Sequence, residues 1–114
     1  MNIESLRDYC LIKAGTEEGF PFGPDTIVFK VNGKIYLLAG LDEHPVQFNV
    51  KCDPEKAIQL RDKYSRSVLP GYHMNKKHWN TVLCSGEIPL NELFAMIDES
   101  YNLVNRSLSK KRQS

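Results

Sequence analysis

The dipeptide Asn32-Gly33 constrains this chain more than any other feature. A two-residue type I′ turn needs positive φ at both central positions, which Asn and Gly tolerate and β-branched residues do not. The flanking segments, Thr26 to Val31 and Lys34 to Gly40, are rich in β-branched and aromatic residues. Closing them through that turn sets Val31 opposite Lys34, Phe29 opposite Tyr36 and Ile27 opposite Leu38. Those side chains are expected on one surface of a sheet, the surface that faces the core. A third strand follows, in which Val46, Phe48, Val50 and Cys52 alternate with Gln47, Asn49 and Lys51. Such alternation is the signature of an antiparallel strand with one dry and one wet face.

Helices are expected on either side of this sheet-forming region. Asn2 is placed to cap a first helix with Ile3, Leu6, Cys10 and Ala14 along one face, and Gly15 stops it. Asp53-Pro54-Glu55 opens a second helix: an N-cap acceptor, a proline where the missing N–H costs nothing, and an acid at the positive end. Ala57, Leu60 and Tyr64 mark its buried face. From Pro89 onward, Leu90, Leu93, Phe94, Ile97, Tyr101, Val104 and Leu108 form a long helical stripe. Short strands are expected at Ser67-Val68-Leu69 and Thr81-Val82-Leu83. The segment Gly19-Phe20-Pro21-Phe22-Gly23-Pro24-Asp25 excludes a helix and reads as a shaped loop, its phenylalanines expected as lids on the core. This order of elements implies an α+β fold, a two-layer arrangement with helices on one face of an antiparallel sheet.

A chain of 114 residues suits one domain, expected over residues 1–108, with a short basic flexible tail at 109–114. No apolar run approaches the roughly 18 residues of a membrane span, and acidic Glu4 and Asp8 interrupt any signal-like N-terminus. A cytoplasmic location is expected. The cysteines Cys10, Cys52 and Cys84 are odd in number and far apart, which suits free buried thiols better than disulfides or a zinc site. Net charge is only +1, yet residues 51–78 carry seven basic against three acidic side chains.

Overlapping that basic region is a stretch unusually dense in aromatic and donor-rich polar side chains, Pro70-Gly71-Tyr72-His73-Met74-Asn75-Lys76-Lys77-His78-Trp79-Asn80-Thr81-Val82. Read structurally, Trp79 fills the core, Asn75 caps a turn and the histidines satisfy backbone groups. Read functionally, Lys76, Lys77, His78 and Asn80 are donors for an anion or a phosphate backbone, with Tyr72 available for stacking. Lys51, Arg61, Lys63, His73 and Asn75 complete the candidate contact set. No metal site is expected, because His73 and His78 are five residues apart and no third ligand is suitably spaced. No phosphate loop, nucleophile elbow or H-E-x-x-H motif is present. The residues therefore suggest no catalytic group and no cofactor.

Taken together, Phe20-Pro21-Phe22-Gly23-Pro24-Asp25, the strand end Val50-Lys51-Cys52 with Asp53-Pro54-Glu55, and the stretch from Pro70 to Val82 resemble the MmcQ/YjbR family of small bacterial proteins. The resemblance runs in order over nearly the whole chain. It implies a YjbR/CyaY-like fold, similar to frataxin-like and secretion-chaperone-like architectures, and it carries a DNA-binding label but no catalytic residues. The expectation that follows is a non-catalytic domain contacting the phosphates of double-stranded DNA through the basic surface around residues 51–78. The alternatives are a protein-interaction or chaperone-like domain, including a homodimer, and a small-anion or metabolite pocket lined by the stretch from Pro70 to Val82.

Overall fold

The computed structural model describes residues 1–71 and 74–113, with side chains described as far as Arg106. Helix α1 (Ile3–Ile12) leads through β1 (Thr16–Gly19) into β2 (Thr26–Val31), β3 (Lys34–Gly40) and β4 (Gln47–Lys51). Helix α2 (Pro54–Lys63), β5 (Val68–Pro70), β6 (Trp79–Leu83) and α3 (Leu90–Gln113) complete the chain. The strands form one antiparallel sheet in the order β1-β2-β3-β4-β6-β5. The fold is α+β, as the element order implied. Among the described residues no helix is long and apolar enough to cross a membrane.

Local chemistry accounts for the boundaries. Asn2 and Ser5 form a reciprocal capping box that satisfies two orphan donors of α1. The Asp53 carboxylate accepts from the N–H groups of Glu55 and Lys56, with Pro54 in the first turn of α2. Asn32 and Gly33 adopt φ of 54° and 79°, so the hairpin turn is the one their chemistry favours. The bond between His44 and Pro45 is cis. β1 was not anticipated from its Thr-Glu-Glu-Gly composition. It forms an edge strand whose acidic side chains discourage pairing with another chain, and Glu18 ties it to α1 through a two-point ion pair with Arg7, both contacts at 2.7 Å. Helix α3 continues through Gln113, into the segment expected as a tail.

The hairpin register departs from the simple expectation beyond Lys30 and Ile35. Val31 faces Lys34, but Phe29 faces Leu37 and Ile27 faces Ala39, because the ladder shifts between Phe29 and Lys30. This is a β-bulge: Tyr36 is the extra residue, and both Tyr36 and Leu37 are fully buried in the helix-side core. Two large side chains entering the core in succession require it, since an unbroken strand would send one of them to the other face. Its consequence is that Leu38 moves from the expected core surface to the opposite surface, where it pairs with Val28.

The core lies between the helices and one face of the sheet. Ile27, Phe29, Val31, Leu37, Ala39, Phe48, Val50 and Val82 meet Leu6, Cys10, Leu93, Met96, Ile97 and Val104 there. Near the bulge, Ser100 of α3 is fully buried; its hydroxyl donates to the Tyr36 carbonyl and accepts from the Lys51 N–H at 2.8 Å. The Tyr36 hydroxyl reaches Thr16 Oγ1 at 2.9 Å, so the buried phenol is satisfied at the edge of β1.

Candidate functional site

Alternation along β4 and β6 sorts the sheet's second face. Gln47 pairs with Leu83, Asn49 with Thr81 and Lys51 with Trp79, all on the side away from the helices. Trp79 is consequently part-buried on this open face and contributes nothing to the core that it was expected to fill. Its backbone has the structural role. The Trp79 carbonyl accepts from Gly71 N at 2.8 Å, and a Cβ on Gly71 would come within 2.8 Å of Trp79 Cβ and 2.9 Å of that carbonyl oxygen. Only glycine permits the two segments to approach so closely. Between them, Asn75 organises a turn: its carbonyl accepts from His78 N and Trp79 N, and its Oδ1 accepts from Lys77 N at 3.0 Å.

The residues expected to form a single basic surface take different roles in the structure. Arg61 is turned inward from α2. Its Nε donates to Asn80 Oδ1 at 2.7 Å, and its Nη2 donates to the carbonyls of Lys76 and Trp79. Asn80 is itself buried on the helix side of β6, so both residues staple α2 to the 75–79 turn. Lys63 pairs with Glu92 of α3 at 3.1 Å, and that hydrogen bond holds its pKa above the ordinary value. Lys51 lies on the open face at the end of β4. Asn75, Lys76 and Lys77 are exposed, and His78 is part-buried. Neither Lys76 nor Lys77 makes an ion pair among the described residues. Tyr72 and His73 lie outside the described residues.

What the open face does contain is a groove of about 450 Å³, within the range of small-molecule sites. Its floor is Leu38, Asn49 and Thr81 of the sheet, with Gln47 beside them; Phe22, Glu43 and Met74 come from three separate loops. Phe22 is 65% exposed and Phe20 49%, so the two phenylalanines are not lids on the core, and Phe22 instead forms a wall of the groove. The Thr81 hydroxyl donates to Asn49 Oδ1 at 2.5 Å, which fixes the orientation of that amide and leaves Nδ2 as its donor. Neither Asn49 Nδ2 nor the Gln47 amide has a hydrogen-bond partner among the described residues. Glu43 is the one ionisable side chain among the described residues of the lining. The wet alternation of Gln47, Asn49 and Lys51 was the sequence signal for this face. Nothing in the sequence tied it to Phe22, Glu43 or Met74.

The thiols lie elsewhere. Cys10 and Cys52 are buried and free; desolvation pushes the first up to about 12 and the second to about 11, and it raises Cys84 as well. Among the described residues no group of three His, Cys, Asp or Glu side chains could hold a metal ion.

Comparison with known proteins agrees with this architecture. A crystal structure of a Deinococcus radiodurans protein with a DUF419 domain superposes with a TM-score of 0.87 at 37% identity, covering 90% of this chain and 78% of that one. A Pseudomonas syringae protein gives a TM-score of 0.74 at 31% identity, covering 91% and 99%. In sequence, the chain is 43% identical over 94 residues to the uncharacterized protein YbdF of Escherichia coli O157:H7, covering 82% of this chain and 76% of that protein. It is 32% identical over 114 residues to the uncharacterized protein YjbR of Escherichia coli strain K12, covering 99% and 96%. The YjbR family model matches residues 11–103, a span that takes in the bulged hairpin, the groove and the Gly71–Trp79 approach, and the chain belongs to the YjbR family.

Proposed function

We propose that this chain is a non-catalytic binding domain that takes a small ligand in the groove on the open face of its sheet. The observation that carries this reading is the Asn49 and Gln47 amides on the floor and rim, with no protein partner among the described residues, framed by side chains from three loops. Loops positioned by a rigid sheet are the usual place for recognition, and a few polar groups in a largely apolar concavity set orientation. The lining supports binding over reaction: among its described residues Glu43 is a lone carboxylate with neither histidine nor cysteine beside it. The same carboxylate repels anions, so the ligand of this groove is not a small anion. The test is a screen of chemically mixed fragments against the 15N-labelled chain. Saturable shifts confined to the amides of Leu38, Gln47 and Asn49 are expected; shifts scattered over the surface, or none, refute the groove as a site.

A second reading rests on Lys76 and Lys77, adjacent, exposed and without ion pairs among the described residues. On this reading they contact the phosphates of duplex DNA. Affinity then falls by about 0.9 log units per contact for each decade of salt. Replacing both lysines by Ala removes about two units of that slope with little change in sequence preference. Absence of binding at about 50 mM salt, where phosphate contacts are strong, eliminates it.

A further inference from the structure

The groove's chemistry narrows its ligand further, on the reading that it is the binding site. Its described lining holds one carboxylate, Glu43, and no lysine or arginine. A ligand that leaves Glu43 paired must bring an N–H or a positive charge to it. Asn49 presents Nδ2 as a donor, its Oδ1 already accepting from Thr81, so the same ligand must also offer an acceptor. Gln47 supplies both a donor and an acceptor. The apolar surfaces are the exposed ring of Phe22, the Leu38 side chain and the Met74 thioether. Aromatic rings and thioethers pack well against flat π-systems.

We infer that the groove binds a planar nitrogen heterocycle, neutral or cationic, that carries an amino group next to a ring acceptor. The amino N–H pairs with Glu43, the ring acceptor takes Asn49 Nδ2, and the ring lies against Phe22 and Met74. Gln47 meets whichever edge group remains. The depression between α2 and α3 differs in character: Lys56 there already pairs with Glu99 at 2.9 Å, and Asp98 is taken by Lys13 and the Tyr9 hydroxyl.

Adenine, unsubstituted purine and benzoate separate the possibilities when each is titrated into the 15N-labelled full chain. Adenine should shift the amides of Leu38, Gln47 and Asn49 saturably, with a Kd on the order of 0.1–1 mM for a ligand of its size. Purine, lacking the amino group, should bind about tenfold more weakly, and benzoate should leave these amides unmoved. Glu43 is exposed on a loop, so Glu43→Ala should fold normally while weakening adenine about tenfold. Asn49→Ala should weaken adenine similarly and leave its saturable character intact. Benzoate binding as well as adenine, or adenine binding indifferent to Glu43→Ala, overturns the inferred ligand class. If the fragment screen finds groove ligands and adenine is not among those that bind, the ligand class falls and the groove stands. If nothing binds in either experiment, both fall together.

Discussion

Arg61 Nε donates to the buried Oδ1 of Asn80 at 2.7 Å, joining α2 to β6 beneath the turn that carries Lys76 and Lys77. The guanidinium also holds the Lys76 and Trp79 carbonyls, so one side chain satisfies acceptors from three residues of that turn and strand. Removing it leaves Asn80 Oδ1 buried without a donor. Arg61→Ala should therefore destabilise the domain by about 2–3 kcal/mol in urea unfolding, and the double mutant with Asn80→Ala should cost less than the two singles added together. Unchanged stability would return Arg61 to the list of surface contacts.

Ser100→Ala removes a hydroxyl that serves the Tyr36 carbonyl and the Lys51 N–H at once. A cost of about 1–3 kcal/mol is expected for the groups left unpaired. Hydrogen exchange at the Lys51 amide should accelerate more than at Val50, whose N–H faces β6 and makes no use of Ser100. Equal acceleration at both would mean that the ladder, and not the serine, protects this end of β4.

Gly71→Ala places a Cβ within 2.8 Å of Trp79 Cβ and 2.9 Å of the Trp79 carbonyl oxygen. Backbone must move to admit it, at a cost of about 1–3 kcal/mol. Trp79→Ala, by contrast, empties no core position and should cost less than Phe48→Ala, for which about 3–5 kcal/mol is expected from a fully buried phenylalanine. Thermal melts of the three variants give the order directly.

Alkaline conditions probe the thiols. Burial raises Cys10 to about 12 and Cys52 to about 11, well above the ordinary thiol value, so the folded state holds protons that the unfolded state releases. Stability is then fully present below the unfolded pKa and declines as pH rises from there toward the folded values. Unfolding free energy measured from pH 8 to 11 should fall progressively above about 9, and replacing Cys10 by Ala should flatten part of that decline. In the native protein at about pH 8, iodoacetamide should label Cys10 and Cys52 slowly, because the reactive thiolate is suppressed.

Much of this fold follows from short-range chemistry. The hairpin turn needed only Asn32 and Gly33, the entry to α2 only Asp53 and Pro54, and the helix-facing side of β4 only the alternation of Phe48 and Val50. Each is decided by φ preferences, local hydrogen bonds or side-chain periodicity, which act within a few residues of sequence. The family was also legible, since its matching segments lie in order along the chain.

Other features depend on groups that meet only after folding. The bulge at Tyr36 exists because two successive side chains find room under the helices, and that displacement carries Leu38 to the open face. Arg61 looks like a free cation in the sequence; burial of Asn80 on the helix side of β6 turns it inward. Phe22, Glu43 and Met74 come from loops with no pattern in common, and only the antiparallel order of β2, β3, β4 and β6 brings them around Asn49 and Thr81. Periodicity reveals which side of a strand is wet, but the partners gathered above that side are set by long-range packing.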